Sequence, residues 1–365
     1  MNKKLNVAIV GCGAVAQKRH IPGFMRLGSK VQLAVCDKNI KLTEQAARQC
    51  GIIKPSVYGA IYTDVEKMLK LRNEMLTHGE NGKIDVVDVC TPPQIHALIA
   101  VKALEAGCHV LMEKPMALTV VDCDRMIDAA RMNNRKLCVV HNVLFHPPLV
   151  RAKELVKNGK IGTVTGMRIF LSDPKDEMVM RKDYWIHKLP GGLIGETGPH
   201  PIYISLAFLK ELKNVDVHAY NILEHPWARF DEFRIELETE NGNSEIMVSY
   251  SGERYNAQVE IFGADGHISV NLHNMSLVVH RPFKFNYFGI LKDTVNMTWQ
   301  LKVDVLRNAY KVATRHFLYG HDKVIELFVD SILNDSDLPV TPEEGRATVE
   351  AMEMLVARLE EKYPR

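Results

Sequence analysis

Three short runs in the sequence hold residue types at spacings that suit chemistry. Glu113-Lys114-Pro115 follows the apolar run CHVLM. A lysine at the end of a strand can donate to a substrate oxygen and stabilise a developing alkoxide. Pro115 restricts Lys114 to extended backbone and favours a cis bond that would aim the side chain. The plainer alternative is a surface lysine in a turn. The run Gly191-Gly192-Leu193-Ile194-Gly195-Glu196-Thr197-Gly198-Pro199-His200 brings backbone close to something. Glu196 and His200 are four apart, so on a helical turn they share a face. A carboxylate that orients an imidazole makes a general base near neutral pH. The plainer alternative is a glycine turn before a core helix starting at Pro201. No HExxH pattern or cysteine cluster accompanies His200, so no metal site is expected.

The third run, Gly11-Cys12-Gly13-Ala14-Val15-Ala16, closes the apolar stretch LNVAIV and fits G-x-G-x-x-G/A. Gly11 permits the tight turn, Gly13 lets backbone approach a pyrophosphate, and Ala16 lets the helix lie close to the strand. The helix N-terminus then offers unpaired N–H groups to phosphates. Asp37 ends the second apolar run, about twenty residues on, where a carboxylate bonds the adenosine ribose. That favours NAD over NADP, although Lys38 beside it keeps NADP as an alternative. Thr91-Pro92-Pro93 must turn at the end of the third run, and His96 follows it; packing or capping is the plainer role for that histidine. Asn142 lies near the end of the fifth run, LCVVHNV. Trp185 suits either covering a nicotinamide or sugar ring, or packing at a domain interface.

These residues need a scaffold. The runs LNVAIVG, VQLAVCD, IDVVDVCTPP, CHVLMEKP and LCVVHNV lack strict alternation and are separated by helical patterns LTEQAARQC, DVEKMLKLRNEML, HALIAVKALEAG and VDCDRMIDAARM. That describes a doubly wound parallel sheet covered on both faces, binding ligands at its carboxyl edge. From about Gly162 the strands alternate and are joined by Gly/Asn/Asp turns: TVTGMRIFLSD, FDEFRIELETE, SEIMVSYSG, AQVEIFGADG and HISVNLHNMSLVVH. They predict a mostly antiparallel sheet with one face covered, beside the helix PIYISLAFLKEL. HDKVIELFVDSIL and PEEGRATVEAMEMLVARLEEK are helical, while residues 275–315 receive no assignment. The fold class is α/β: residues 1–146 form a dinucleotide-binding domain, and residues 147–365 an α/β domain with an open antiparallel sheet that binds substrate and forms oligomers.

With 365 residues, two domains are the default. Lys plus Arg (46) nearly balances Asp plus Glu (44), so no overall field points to nucleic acid or an anionic membrane. The seven cysteines include no CxxC pair and suit buried free thiols. No stretch reaches a signal or membrane-spanning length, and a cytoplasmic location is expected.

Taken together, G-x-G-x-x-A, Thr91-Pro92 with His96, Glu113-Lys114-Pro115 and the Gly-Gly…Gly-x-His run resemble the Gfo/Idh/MocA family. HPPLVRAKELVKNGKIGTV is similar to that family's linker helix, and FGADGHI to a strand pair of its second sheet. The resemblance implies a dehydrogenase acting on a secondary hydroxyl or carbonyl of a sugar, inositol or sugar nucleotide, with NAD or NADP. It implies Lys114 and His200 as catalytic residues, Glu196 where the family usually has Asp, and a homodimer or homotetramer. The cofactor would meet Gly11, Gly13, Ala14, Val15, Ala16, Asp37, Thr91, Pro92, His96, Glu113, Lys114, Asn142 and Trp185. Tyr203, Leu144 and Ile186 depart from common Asp, Arg and Arg, which points to an unusual grip on substrate. The alternatives are an NAD-dependent glycosidase and a non-catalytic NAD(P)-binding sensor.

Overall fold

The computed structural model describes residues 4–52, 61–70, 83–173, 181–314 and 320–364. The chain divides into two compact units, Met1–Asn142 with Leu318–Val349, and Val143–Phe317 with Glu350–Arg365.

In the first unit, β1 (Leu5–Val10), β2 (Val31–Cys36), β3 (Ile61–Tyr62), β4 (Val86–Val89), β5 (His109–Met112) and β6 (Leu137–Val139) form one parallel sheet. Their order is β3-β2-β1-β4-β5-β6. Strands β4 and β6 are buried at every residue, and β1 at all but one, which is why the runs lack alternation. The order reverses at β1, whose neighbours are β2 and β4, and a crevice opens beyond the carboxyl ends of such a pair. Edge strand β3 is only two residues long and was absent from the five-strand expectation. Helices α1 (Ile21–Met25), α2 (Ile40–Gln49), α3 (His96–Glu105) and α4 (Val120–Met132) connect the strands. Asn39 and Thr119 cap α2 and α4, each side chain accepting from a backbone N–H two or three residues on. The expected helix DVEKMLKLRNEML is described only as far as residue 70; the rest of it lies outside the described residues.

The second unit begins with helix α5 (Pro147–Lys157). Strands β7 (Val164–Ser172), β8 (Leu212–Tyr220), β9 (Glu232–Thr239), β10 (Gly242–Ser249), β11 (Asn256–Gly263), β12 (Gly266–Asn271) and β13 (Ser276–His280) form a second sheet. The order is β13-β12-β11-β7-β10-β9-β8, with only the β7–β10 pair parallel. Alternation is clean in β9, where Phe233, Ile235 and Leu237 are buried while Arg234, Glu236 and Glu238 are exposed. Helices α6 (Leu193–Thr197) and α7 (Pro199–Leu206) precede β8, and α8 (Tyr287–Ala313) follows β13.

Several sequence expectations change here. HISVNLHNMSLVVH is two strands, β12 and β13, joined by a turn in which Met275 takes φ 55°. The end of PIYISLAFLKEL leaves the helix for β8. The unassigned stretch 275–315 contains the 27-residue helix α8.

Helix α9 (Gly320–Leu333) returns to the first unit, and the division falls within α10 (Pro342–Lys362). Asp322 of α9 pairs with Arg26, and a side chain added at Gly23 would stand 2.7 Å from Ile325. A single cut after residue 146 therefore separates α9 from the helix it packs on.

Candidate active site

In the first unit, the site lies along the carboxyl ends of β1, β2, β4 and β5. Gly11 donates to the Cys36 carbonyl at 2.8 Å, and Cys90 donates to the Val10 carbonyl at 2.8 Å. These bonds draw the fingerprint turn against the start of the Thr91 segment. Gly11 has φ +92°, and a Cβ there would stand 2.8 Å from the Cys90 carbonyl carbon and oxygen. No side chain fits that position. A Cβ at Gly13 would meet nothing within 4 Å, so the backbone faces open space. Ala16 is fully buried, as close helix–strand contact requires. Ala14 and Val15 open the helix, which passes through a π-helical turn at Ala16–His20.

Asp37 accepts from the Cys12 N–H at 2.7 Å and the Asn39 N–H at 2.8 Å. Its carboxylate thus sits directly on the fingerprint loop. Burial first, and then Asp37, push the Cys12 thiol up to about 12, so it stays neutral and serves as a small apolar residue. Thr91 Oγ1 is buried with no hydrogen-bond partner. An orphaned hydroxyl beside a backbone cradle that no Cβ can enter fits a polar ligand such as a dinucleotide. Pro92 is exposed beside it. His96 is fully buried, with one ring nitrogen 3.0 Å from the Pro115 carbonyl and the other 2.7 Å from the Thr91 carbonyl. Burial lowers its pKa against the pull of those carbonyls. A neutral ring carries one N–H and donates to one of these two carbonyls, so this histidine packs between the Thr91 and Pro115 segments.

Lys114 is half-buried, and its peptide bond to Pro115 is cis. Its backbone N–H donates to Glu113 Oε2 at 3.1 Å. Glu113 itself is buried, and its Oε1 lies 2.8 Å from His20 Nε2 and 3.4 Å from His321 Nε2. The other nitrogen of His20 stands 2.9 Å from Asp88, a carboxylate inside β4. Burial disfavours the charged imidazole, but Asp88 outweighs it and holds the His20 pKa well above its usual value. Burial would likewise raise Glu113, yet the histidine hydrogen bonds and charges hold it well below the usual carboxylate range. The result is an ionised carboxylate–imidazolium–carboxylate bridge under the Lys114 backbone. Ligand atoms of His20, Glu113 and His321 gather within 4.8 Å, as do those of His20, Asp88 and Cys90. The 2.8–2.9 Å His20 contacts are hydrogen bonds, which account for that clustering.

Sequence reasoning missed His20, Asp88 and His321. The signal was Asp88, a charge in the middle of the apolar run VVDV, which needs a partner once buried.

In the second unit, Glu196 lies on α6 and His200 on α7. Gly191 and Gly192 both have positive φ, 78° and 64°, and turn the chain into α6. His200 Nδ1 is 2.7 Å from Tyr203 Oη, and that oxygen accepts from the Val143 N–H at 3.2 Å. Tyr203, read from sequence as a departure from Asp, is therefore the group that fixes the imidazole. Glu196 Oε2 accepts from Thr197 Oγ1 at 3.2 Å. Trp185 opens a short 3₁₀ turn and is 39% exposed. Leu144 and Ile186 are buried. Asn142 stands at the last residue of the first unit.

Gly11→Val is expected to destabilise the first unit by about 1–3 kcal/mol, because a β-branched residue is forced to positive φ against backbone. Thermal unfolding measures that loss, and a calorimetric titration with NADH should show no saturable binding.

Residues 5–141 match the family model described as "Oxidoreductase family, NAD-binding Rossmann fold", and residues 149–269 match the "GFO/IDH/MocA C-terminal domain". The chain is 30% identical over 273 residues to a 1-carboxy-3-chloro-3,4-dihydroxycyclohexa-1,5-diene dehydrogenase of Comamonas testosteroni. That match covers 71% of this chain and 61% of the relative, so the chain spans about three fifths of its length. Among solved structures, the WlbA dehydrogenase of Bordetella pertussis in complex with NADH and UDP-GlcNAcA superposes with a TM-score of 0.76 at 17% identity. The superposition covers 99% of this chain and 97% of that one. The scyllo-inositol dehydrogenase of Lactobacillus casei, with NAD(H) and scyllo-inositol, gives 0.75 at 20%, covering 99% and 98%.

Proposed function

This chain belongs to the Gfo/Idh/MocA oxidoreductase family, and from that premise we propose that it is an NAD-dependent dehydrogenase. Its substrate would be a secondary hydroxyl or carbonyl of a sugar, inositol or sugar nucleotide. The observation that carries this reading is the set gathered at one sheet edge: the Gly11 cradle, Asp37, the orphaned Thr91 hydroxyl and Lys114 on its ionised support. A bound nicotinamide dinucleotide would supply the acceptor or donor of a hydride. The Gly11–Ala16 backbone would hold its pyrophosphate, Asp37 its adenosine ribose, and Thr91 and Pro92 its nicotinamide half. The first unit is then the nucleotide-binding domain, and the second binds substrate and forms homo-oligomers; a cytoplasmic location goes with this reading.

Within this mechanism Lys114 donates to the substrate oxygen as negative charge builds there. In the tautomer that carries its proton on Nδ1, His200 donates to Tyr203 Oη and Nε2 is left as the base that takes the hydroxyl proton. A positioned base contributes about 10²–10⁴-fold. With Tyr203 holding Nδ1, Glu196 is assigned to a neighbouring substrate hydroxyl. Trp185 covers a ring of the substrate or cofactor.

A panel of sugars, inositols and sugar nucleotides with NAD and NADP tests the reading. Reduced nicotinamide accumulating with one of them is the expected result. Glycoside cleavage without net reduction would identify a glycosidase, and NADH binding without turnover across the panel a sensor. Asp37→Ser should lower kcat/KM with NAD by about tenfold, the equivalent of one lost charge-assisted hydrogen bond. It should raise the relative rate with NADP, because the carboxylate that repels a 2′-phosphate is gone; steady-state kinetics with both cofactors measure the ratio.

A further inference from the structure

Helix α8 turns its polar side toward its own sheet and its apolar side toward solvent. The Gln300 amide accepts from the Val279 N–H at 2.9 Å and donates to the Val279 carbonyl at 3.1 Å. Buried Asp304 accepts from the Leu277 N–H at 2.8 Å and from Arg151 at 2.8 Å. Asn308 donates to the carbonyls of Asn274 and Met275 at 3.1 and 3.0 Å. The solvent side carries Phe288, Leu291, Val295, Trp299, Leu306 and Tyr310, all between 60% and 86% exposed. A surface helix that packs on its own domain has the reverse arrangement. With aromatic side chains offering about 150–250 Å² each, these six leave roughly 700 Å² of apolar area uncovered. The largest apolar patch on a typical monomer is about 300–600 Å².

Steps of three, four, four, seven and four separate the six, and at 3.6 residues per turn all of them fall within an arc of about 100°. Ala309, Ala313, Lys292 and Lys302 fall in the same arc, which contains no acidic residue. The charge around the helix has one dominant sign. Residues 281–314 contain six Lys and Arg against two Asp, whereas the whole chain is nearly neutral at +2. One of those two, Asp304, is buried and paired with Arg151 and Arg307. At the N-terminal end of α8 lies a cavity of about 830 Å³, lined by the exposed cations Lys160, Arg281, Lys284 and Lys292. Asp293 is the one acidic residue among its described lining, and Phe288 belongs both to this wall and to the apolar arc. The cationic cavity therefore opens directly beside the apolar face.

An apolar arc alone suits a protein or a lipid, and the lysines decide between them. Protein interface cores are depleted of lysine, yet Lys292 and Lys302 stand inside this arc. At a lipid surface the long lysine stem lies along the apolar layer while its ammonium reaches the headgroups. Trp and Tyr, with one apolar and one polar end, suit the same depth. A basic cavity beside such a helix meets the phosphates of anionic headgroups. Helix α8 has 27 residues, but among the described residues no helix is both long and apolar enough to cross a membrane. An amphipathic helix of this kind lies in the plane of the surface instead.

We propose that α8 and the cavity at its N-terminal end dock this chain on an anionic lipid surface. The apolar arc enters the headgroup layer, and Lys160, Arg281, Lys284 and Lys292 take headgroup phosphates. Co-sedimentation of the full chain with vesicles is the test. The chain should pellet with phosphatidylcholine–phosphatidylserine vesicles and bind phosphatidylcholine alone about tenfold or more weakly, since each cation near an anionic surface contributes about fivefold. Leu291→Glu/Trp299→Glu should abolish pelleting, and Lys284→Glu/Lys292→Glu should weaken it by about tenfold or more. All four positions are exposed, so both variants should keep the wild-type circular dichroism and melting temperature. A wild-type chain that pellets with neither vesicle, equal binding to the two, or a folded variant that pellets as wild type does would overturn the proposal. So would inorganic phosphate binding without vesicle binding, which would make the cavity a site for a soluble anion. An oligomer that ignores vesicles and is dissociated by Leu291→Glu/Trp299→Glu would overturn it as well, by making α8 a contact between copies.

Discussion

Lys114→Ala lowers turnover by about 10²–10³-fold, the usual cost of one donor aimed at a developing oxyanion, and leaves NADH affinity nearly unchanged. The separation of the two effects follows from the geometry. The cradle is made by Gly11, Gly13, Asp37 and Thr91, where Gly11 donates to the Cys36 carbonyl and Asp37 accepts from the Cys12 and Asn39 N–H groups. Glu113 holds the lysine by its backbone N–H, at 3.1 Å, so the substitution leaves the support in place. Stopped-flow or steady-state turnover with the substrate found in the panel measures the first quantity, and calorimetry with NADH the second. An equal loss of cofactor affinity would make Lys114 structural.

His20→Ala should cost about 3–5 kcal/mol, because removing one member of a buried ion pair strands the rest. Here two carboxylates, Asp88 and Glu113, lose the imidazolium between them. The pH dependence has a definite form. Glu113 titrates below its ordinary value of 4.5 in the folded chain, so its stabilisation is present above that pH and is lost as pH falls toward the folded value. His20 titrates above its ordinary 6.5, so its contribution is complete below 6.5 and is lost as pH rises through the raised value. The difference in urea midpoint between wild type and His20→Ala should therefore be largest between pH 4.5 and 6.5, and shrink on both sides. A difference independent of pH would mean that His20 acts by packing alone. Turnover should also fall, since the same bridge supports the Lys114 backbone.

Much of the fold was legible because of how parallel strands are buried. LNVAIV, VQLAVC and their successors sit between helices on both faces and so read as unbroken apolar runs. Two-residue β3 is too short to leave such a trace. Helix α8 defeated periodicity for a different reason: its apolar side points away from the sheet, and Gln300, Asp304 and Asn308 do the packing. The fingerprint and Glu113-Lys114-Pro115 were readable because each is local in sequence. The bridge beneath them was not, because His20 meets partners 68 and 93 residues away and His321 arrives from α9. Tyr203 looked like a lost carboxylate, although a phenol three residues after His200 can hold Nδ1 equally well by hydrogen bonding.

Calorimetric titration of NADH into wild type, Lys114→Ala and Gly11→Val tests most directly whether the glycine cradle holds the nicotinamide nucleotide that Lys114 serves. One site per chain in the first two proteins, with similar affinity, and none in the third is the predicted outcome. Wild-type protein that shows no saturable heat with NADH, or a Gly11→Val protein that binds it as wild type does, would contradict the account.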